Sequence, residues 1–181
     1  MEVNLEVHKS IIEKSKRGHS GAQLDLYKLY SKAMFNTCYR MMNQLEDAED
    51  MLQESFSSAF QMLHTFNYRS TFGAWLKRIV LNKCINEIKR RKLDLVYVES
   101  IPIEVPKNEE TIGLSIEQIK KAMQQLPNGS RIIFSLYLLE GHTHKEIASI
   151  LDMSESNSKS QYMRAKNKVK EILKKEVGHE L

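Results

Sequence analysis

Three observations predict an all-α chain of two small helical domains joined by a flexible linker. Glycine and proline together number 10 in 181 residues, too few for a turn-rich sandwich or a low-complexity chain. Apolar residues recur at spacings of three and four rather than in alternation. The charge is also divided along the chain. Residues 1–95 carry 15 basic and 11 acidic groups, 96–117 carry 1 and 5, and 118–181 carry 11 and 7, so two basic lobes flank an acidic tether.

Charged residues at 28% and hydrophobic ones at 41% suit a soluble chain able to bury a core. The longest stretch free of Asp, Glu, Lys and Arg is the 14 residues from Ser55 to Tyr68, short of the ~20 apolar residues a membrane helix needs. Glu2 and Glu6 stand where a secretory signal carries basic residues, so a cytoplasmic protein with no membrane insertion is expected. Cys38 and Cys84 are read as reduced, buried thiols rather than a disulfide framework or a zinc site.

In the first lobe the spacing predicts four helices. The first runs from about Leu5 to Arg17 and stops near Gly18. The second begins after Gly21 and places Leu24, Tyr27, Leu29, Met34, Phe35, Cys38 and Met42 on its apolar side. The third opens on Glu46, Asp47, Glu49 and Asp50, whose charges suit the positive end of a helix dipole, and continues through Leu52, Phe56, Ala59, Phe60 and Leu63. The fourth spans about Thr71 to Lys92, with Phe72, Trp75, Leu76, Ile79, Val80 and Ile88 inward. From Leu93 to Gly113 the period breaks at Pro102 and Pro106 among acidic residues, which reads as a solvated linker. Beyond it come segments of about 12, 11, 9 and 20 residues, divided at Pro127-Asn128-Gly129, at Gly141 and at Asp152-Met153-Ser154. The last pair, Thr143 to Leu151 and Glu155 to Glu176, has helix-turn-helix spacing, with Ser154 as the cap of the second helix.

Two polar stripes carry the candidate chemistry. On the last helix Tyr162, Ala165, Val169 and Ile172 form the expected buried seam, and Asn157, Gln161, Arg164 and Lys168 form a stripe beside it. Asn and Gln pair bidentately with adenine and Arg with guanine in the major groove. Seven basic residues against the single Glu171 between Lys159 and Lys175 favour DNA over a merely solvated face. On the fourth helix Arg78, Asn82, Asn86 and Lys89 share a face that leads into Arg90, Arg91 and Lys92. Asn inside a helix is mildly unfavourable, so amides beside basic charge suggest a nucleic-acid surface. Phe66 and Tyr68, in the preceding loop, are candidate platforms for unstacked bases, while Phe72 and Trp75 are placed in the core.

These residues resemble a family. Leu45-Glu46-Asp47-Ala48-Glu49-Asp50-Met51-Leu52-Gln53-Glu54-Ser55-Phe56, Phe72-Gly73-Ala74-Trp75-Leu76-Lys77-Arg78-Ile79, and Asn82 and Asn86 before a basic run look like region 2 of extracytoplasmic-function sigma factors, within the sigma-70 family. Leu126-Pro127, Leu139-Glu140-Gly141, Lys145-Glu146-Ile147-Ala148, Lys159-Ser160 and Arg164-Ala165-Lys166 look like their region 4. The resemblance implies region 2 over residues 1–92, an acidic linker over 93–113 and region 4 over 114–181.

It further implies a sigma factor that binds core bacterial RNA polymerase and directs promoter recognition, strand opening and initiation. Asp47, Asp50, Gln53 and Glu54 would face the polymerase. Phe66, Tyr68, Arg69, Ser70, Arg78, Asn82, Asn86, Lys89 and Arg90 would hold the unpaired minus-ten strand. Ser156, Asn157, Lys159, Ser160, Gln161, Arg164 and Lys168 would meet the minus-thirty-five element. Core polymerase, promoter DNA and an anti-sigma factor are the implied partners of a chain expected to be monomeric when free, with no cofactor or metal. The loop reads Asn67-Tyr68-Arg69-Ser70 where Arg-Gly-Asp-Ser is commoner; Asp152 replaces a usual turn glycine; Ser158 and Gln161 replace a commoner Val and Arg.

A stand-alone helix-turn-helix regulator is the alternative, and it leaves the acidic third helix and the Asn stripe without a role. For an enzyme, the chain offers neither a glycine-rich phosphate loop nor a nucleophile–base pair, and His142 and His144 lack the i, i+4 spacing of metal ligands on a helix.

Overall fold

The computed structural model describes residues 2–91 and 116–178, with side chains for 8–91 and 118–175; the expected linker lies outside the described residues. The chain divides into two compact units, Met1–Ile88 and Lys89–Leu181, the division falling in the last turn of a helix.

The first unit holds α1 (Glu2–Lys16), α2 (Ser20–Met42), α3 (Leu45–Gln61), a 3-10 turn at Leu63–Thr65 and α4 (Phe72–Arg90). Gly18 at φ +82 turns the chain after α1, and Asn43 at φ 61 ends α2 in the left-handed region, its N–H donating to the Tyr39 carbonyl. Asn tolerates that conformation better than most residues. The core joins Leu26, Met34, Cys38 and Met41 of α2, Ala48, Met51, Leu52 and Phe56 of α3, and Leu76, Val80, Cys84 and Ile88 of α4. Gly73 permits close packing at the start of α4, since a Cβ there would lie 3.1 Å from the Tyr30 ring.

Two expectations for α2 and α4 change. Leu24 and Leu29 are 51% and 52% exposed, because α2 is apolar on more of its circumference than its neighbours cover. Trp75 and Ile79 are only half-buried. Cys38 and Cys84 are free and buried and meet across α2 and α4: a hydrogen bond to Cys38, then burial, pushes the Cys84 thiol well up.

The second unit holds α5 (Ile116–Gln124), α6 (Asn128–Leu138), α7 (His144–Leu151) and α8 (Glu155–Gly178). Ala122, Met123, Leu126 and Phe134 pack on Ala165, Val169, Ile172 and Leu173 of α8, with Tyr162 at the border. Arg131 is buried in α6, donating from Nη1 to the Leu126 carbonyl at 3.2 Å and from Nη2 to Asn128 Oδ1 at 2.9 Å.

Local chemistry sets the helix-turn-helix. Gly141 at φ +75 reverses the chain after α6. Thr143 caps α7 in a capping box: its Oγ1 accepts from Glu146 N, and Glu146 Oε2 accepts from Thr143 N at 2.7 Å. That contact, first with the Thr143 backbone N–H, holds the Glu146 carboxyl below its usual range. Asp152 takes the left-handed position ending α7, at φ 54. Ser154 Oγ accepts from Asn157 N at 3.1 Å, capping α8 as expected.

Candidate nucleic-acid and partner surfaces

α3 separates its faces cleanly. Ala48, Met51, Leu52, Ser55, Phe56 and Ala59 are buried, whereas Asp50, Gln53 and Glu54 are exposed and Asp47 is half-buried beside them. Glu54 lies 3.6 Å from Lys83 Nζ on α4, an exposed pair worth at most about 1 kcal/mol. The acidic face is therefore held by the burial of its opposite side.

The loop between the 3-10 turn and α4 departs from expectation at one residue. Phe66 is 3% exposed and packs on Phe72 and Trp75 with ring centroids 5.8 and 5.4 Å away. It anchors the loop and cannot receive a base, because an aromatic ring in a short loop between two helices gains most by joining their core. Tyr68, Arg69 and Ser70 are exposed. Asn67 Oδ1 accepts from Arg69 N at 3.2 Å, and Thr71 Oγ1 accepts from Ala74 N at 3.2 Å to cap α4.

Along α4, Arg78, Asn82, Asn86, Lys89 and Arg90 are all exposed, while Leu76, Val80, Cys84 and Ile88 are buried on the opposite side. The structure thus brings together every stripe residue named for α4.

On α8 the stripe splits. Ser156, Lys159 and Lys168 are exposed; Asn157, Ser160 and Arg164 are half-buried. Gln161 is 4% exposed, and its Oε1 accepts from Ser130 Oγ of α6 at 3.0 Å. Gln161 is therefore removed from the reading stripe: the inward seam runs through Ser158, Gln161, Ala165, Val169 and Ile172, and Tyr162 borders it. Ser158, also buried, lies 3.0 Å from His144 Nδ1. His144 stacks on Tyr137 with centroids 4.3 Å apart. Burial, and then Lys159, lower its pKa, with Glu155 opposing. Lys159 pairs with Glu155 at 2.6 Å and Lys168 with Glu171 at 3.0 Å.

Sequence reasoning missed Lys9, Glu13 and Lys16 of α1, which meet the loop around Tyr68. They lie more than 50 residues before it, and nothing in their local pattern links them to it. Among the described residues no cluster of three or more His, Cys, Asp or Glu could hold a metal, and no helix is long and apolar enough to cross a membrane.

A helical chain that ends in a capped helix-turn-helix and carries a basic amide stripe on a separate helical unit has the makings of a DNA-binding protein. The family models described as Sigma-70 region 2 and Sigma-70, region 4 match residues 26–93 and 116–169, together more than half of the chain. The chain belongs to the sigma-70 family, among its extracytoplasmic-function sigma factors. It is similar to the ECF RNA polymerase sigma factor SigW of Bacillus subtilis, 24% identical over 180 residues that cover 92% of this chain and 96% of SigW. SigM of the same organism is 26% identical over 160 residues, covering 86% of this chain and 98% of SigM. Among solved structures, the sigma factor RpoE of Bartonella quintana, in complex with the anti-sigma factor NepR, aligns at a TM-score of 0.49 and 23% identity, covering 83% of this chain and 95% of that one.

Proposed function

We infer that this chain is a sigma factor: it binds core RNA polymerase, directs it to promoters and takes part in strand opening and initiation. The observation that carries the reading is the occurrence of region 2 and region 4, in that order, on one chain. Residues 1–92 are assigned to polymerase and minus-ten recognition, 93–113 to the tether and 114–181 to the minus-thirty-five element, and the protein works in the cytoplasm beside polymerase. An anti-sigma factor is proposed as a further partner.

In this reading α3 presents Asp47, Asp50, Gln53 and Glu54 to a basic surface of polymerase. Asn82 and Asn86 read bases only after strand separation, because an amide both donates and accepts without charge. Arg78, Lys89 and Arg90 neutralise the flanking phosphates. Tyr68, exposed beside Arg69 and Ser70, supplies the stacking face. On α8, Arg164 with Asn157, Ser156, Lys159, Ser160 and Lys168 remain for the duplex, and Gln161 is left out.

Co-purification with bacterial core polymerase, followed by transcription from a supercoiled template, tests the function. Binding and initiation are expected; neither would be seen from a stand-alone regulator. Sequencing the transcript starts then defines the promoter. Reversing Asp50 and Glu54 to Lys should weaken polymerase binding at low salt, with a defect that shrinks as salt rises. Unchanged affinity at low salt would remove the α3 assignment.

A further inference from the structure

The loop that carries Tyr68 is fixed at both ends, by buried Phe66 and by the Thr71 cap. Its middle is held from another helix. Tyr68 sits at φ 62, a left-handed conformation that an aromatic residue adopts only when its surroundings impose it.

The surroundings are three side chains of α1. The Tyr68 hydroxyl donates to Glu13 Oε1 at 2.5 Å. Lys16 Nζ donates to the Phe66 carbonyl at 2.9 Å and to Glu13 Oε1 at 3.1 Å, and stands 4.7 Å from the centre of the Tyr68 ring. Lys9 Nζ stands 5.8 Å from the same ring, within cation–π reach. One ammonium thus ties together the loop backbone, the ring and the carboxylate that holds the hydroxyl. The side chain of Lys16 is only 18% exposed, while Tyr68 remains 40% exposed despite the grip. The grip fixes the ring without covering it.

We propose that Glu13 and Lys16 are positioning residues for promoter-strand reading: from α1 they hold Tyr68 in its turn, so that the ring is a ready stacking surface for an unpaired base. The inference rests on the assignment of this loop to the minus-ten strand. The protonation chemistry agrees with the geometry. Burial and then the Glu13 hydrogen bond push the Tyr68 hydroxyl up to about 12, and the Tyr68 and Lys16 hydrogen bonds hold the Glu13 carboxyl below its usual range, so donor and acceptor keep these roles at neutral pH. A ring already immobilised loses less rotamer freedom when a base stacks on it.

The sign of one substitution separates this role from plain electrostatics. A carboxylate beside a strand of phosphates repels it, so Glu13→Gln should tighten DNA binding if Glu13 is only a surface charge. If Glu13 positions Tyr68, the same change should weaken binding.

The measurement is the affinity of the holoenzyme, assembled from the full chain and core polymerase, for a short single-stranded DNA oligonucleotide. The probe is taken from the non-template strand of a promoter mapped by transcript sequencing. Tyr68→Ala should weaken binding by about 5- to 150-fold, the range for loss of one base–aromatic stack. Glu13→Gln and Tyr68→Phe should each weaken it by about 3- to 10-fold, a partial loss of that stack. The Glu13→Gln, Tyr68→Phe double variant should be no worse than Tyr68→Phe alone, because Glu13→Gln weakens, by removing its charge, the same hydrogen bond that Tyr68→Phe deletes. Unchanged or tighter binding by Glu13→Gln, with Tyr68→Ala still weakened, overturns the positioning role and leaves the loop assignment standing. Unchanged binding by Tyr68→Ala overturns both.

Discussion

α4 and α8 each carry a stripe of amide and basic side chains, and they use it differently. On α4 the opposite side is Leu76, Val80, Cys84 and Ile88, all buried. The division between inside and outside is therefore sharp, and Arg78, Asn82, Asn86 and Lys89 all remain outside. On α8 the inward seam opens with Ser158 and Gln161 and becomes apolar only from Ala165. A polar residue on a seam like that is legible only through its partner, and the partner of Gln161 is Ser130, on a different helix. Polar side chains at helical spacing thus belong to two populations: those that face a ligand and those that pin helices together. The second unit relies on the pins, as Arg131, Ser130, Gln161 and Ser158 are all buried in it.

The largest effect expected from this contrast is at Arg131. Arg131→Ala deletes a buried charged donor and strands the buried Leu126 carbonyl, while exposed Asn128 can turn to water. A loss of about 3–5 kcal/mol of second-unit stability is expected. Trp75, the single tryptophan, lies in the first unit, so its fluorescence should report an unchanged transition while the helical circular dichroism gains an earlier one. Coincident shifts in both signals would show that the two units unfold together.

Next in size is the direct comparison of the two amides. Gln161→Ala should cost about 1–3 kcal/mol of stability by leaving the Ser130 hydroxyl unpaired. Asn86→Ala, at an exposed position, should change stability by no more than about 0.5 kcal/mol yet reduce permanganate reactivity of promoter thymines in the open complex. Thermal unfolding of the two variants beside each other decides it: equal stabilities would erase the distinction between pin and reader.

The smallest effect is at His144 of α7, which meets Ser158 in the second inward polar contact of α8. Its pKa is lowered in the folded chain, by burial first and then by Lys159, against Glu155. The unfolded chain then binds the proton first as pH falls. The stability in question is present above the unfolded value of about 6.5 and is lost as pH drops through the folded one. The second-unit transition should move to lower temperature between about pH 7.5 and about pH 5.5, and His144→Gln should flatten that dependence. An identical slope in the variant would assign the titration elsewhere.

The helices of both units were legible because burial of an apolar stripe dominates local choice over a dozen residues. Their ends were legible where a residue carries its own chemistry, as Gly18, Asp152 and Ser154 do. The exposed face of α3 and the stripe of α4 could be read because each lies opposite a side that is apolar but for Ser55 of α3, which bonds within its own helix. Leu24 and Leu29 could not be placed, since α2 is apolar on several sides and only neighbouring helices choose among them. Phe66 misled for a related reason: a loop residue has no period, so its membership of the core depends on which rings stand nearby.

By itself, then, the amino-acid sequence determined the helical class and the helix-turn-helix with its Ser154 cap, consequences of short-range spacing and local hydrogen bonding, while region 2 and region 4 were legible through motifs that resemble theirs. Only the tertiary structure decided that Gln161 faces Ser130, that Cys38 meets Cys84, and that Glu13 and Lys16 grip Tyr68. Such pairings join residues 31 to 55 positions apart. At that separation the chain between them leaves no periodic trace, and the choice of partner falls to packing and to the need of each buried polar group for a hydrogen bond.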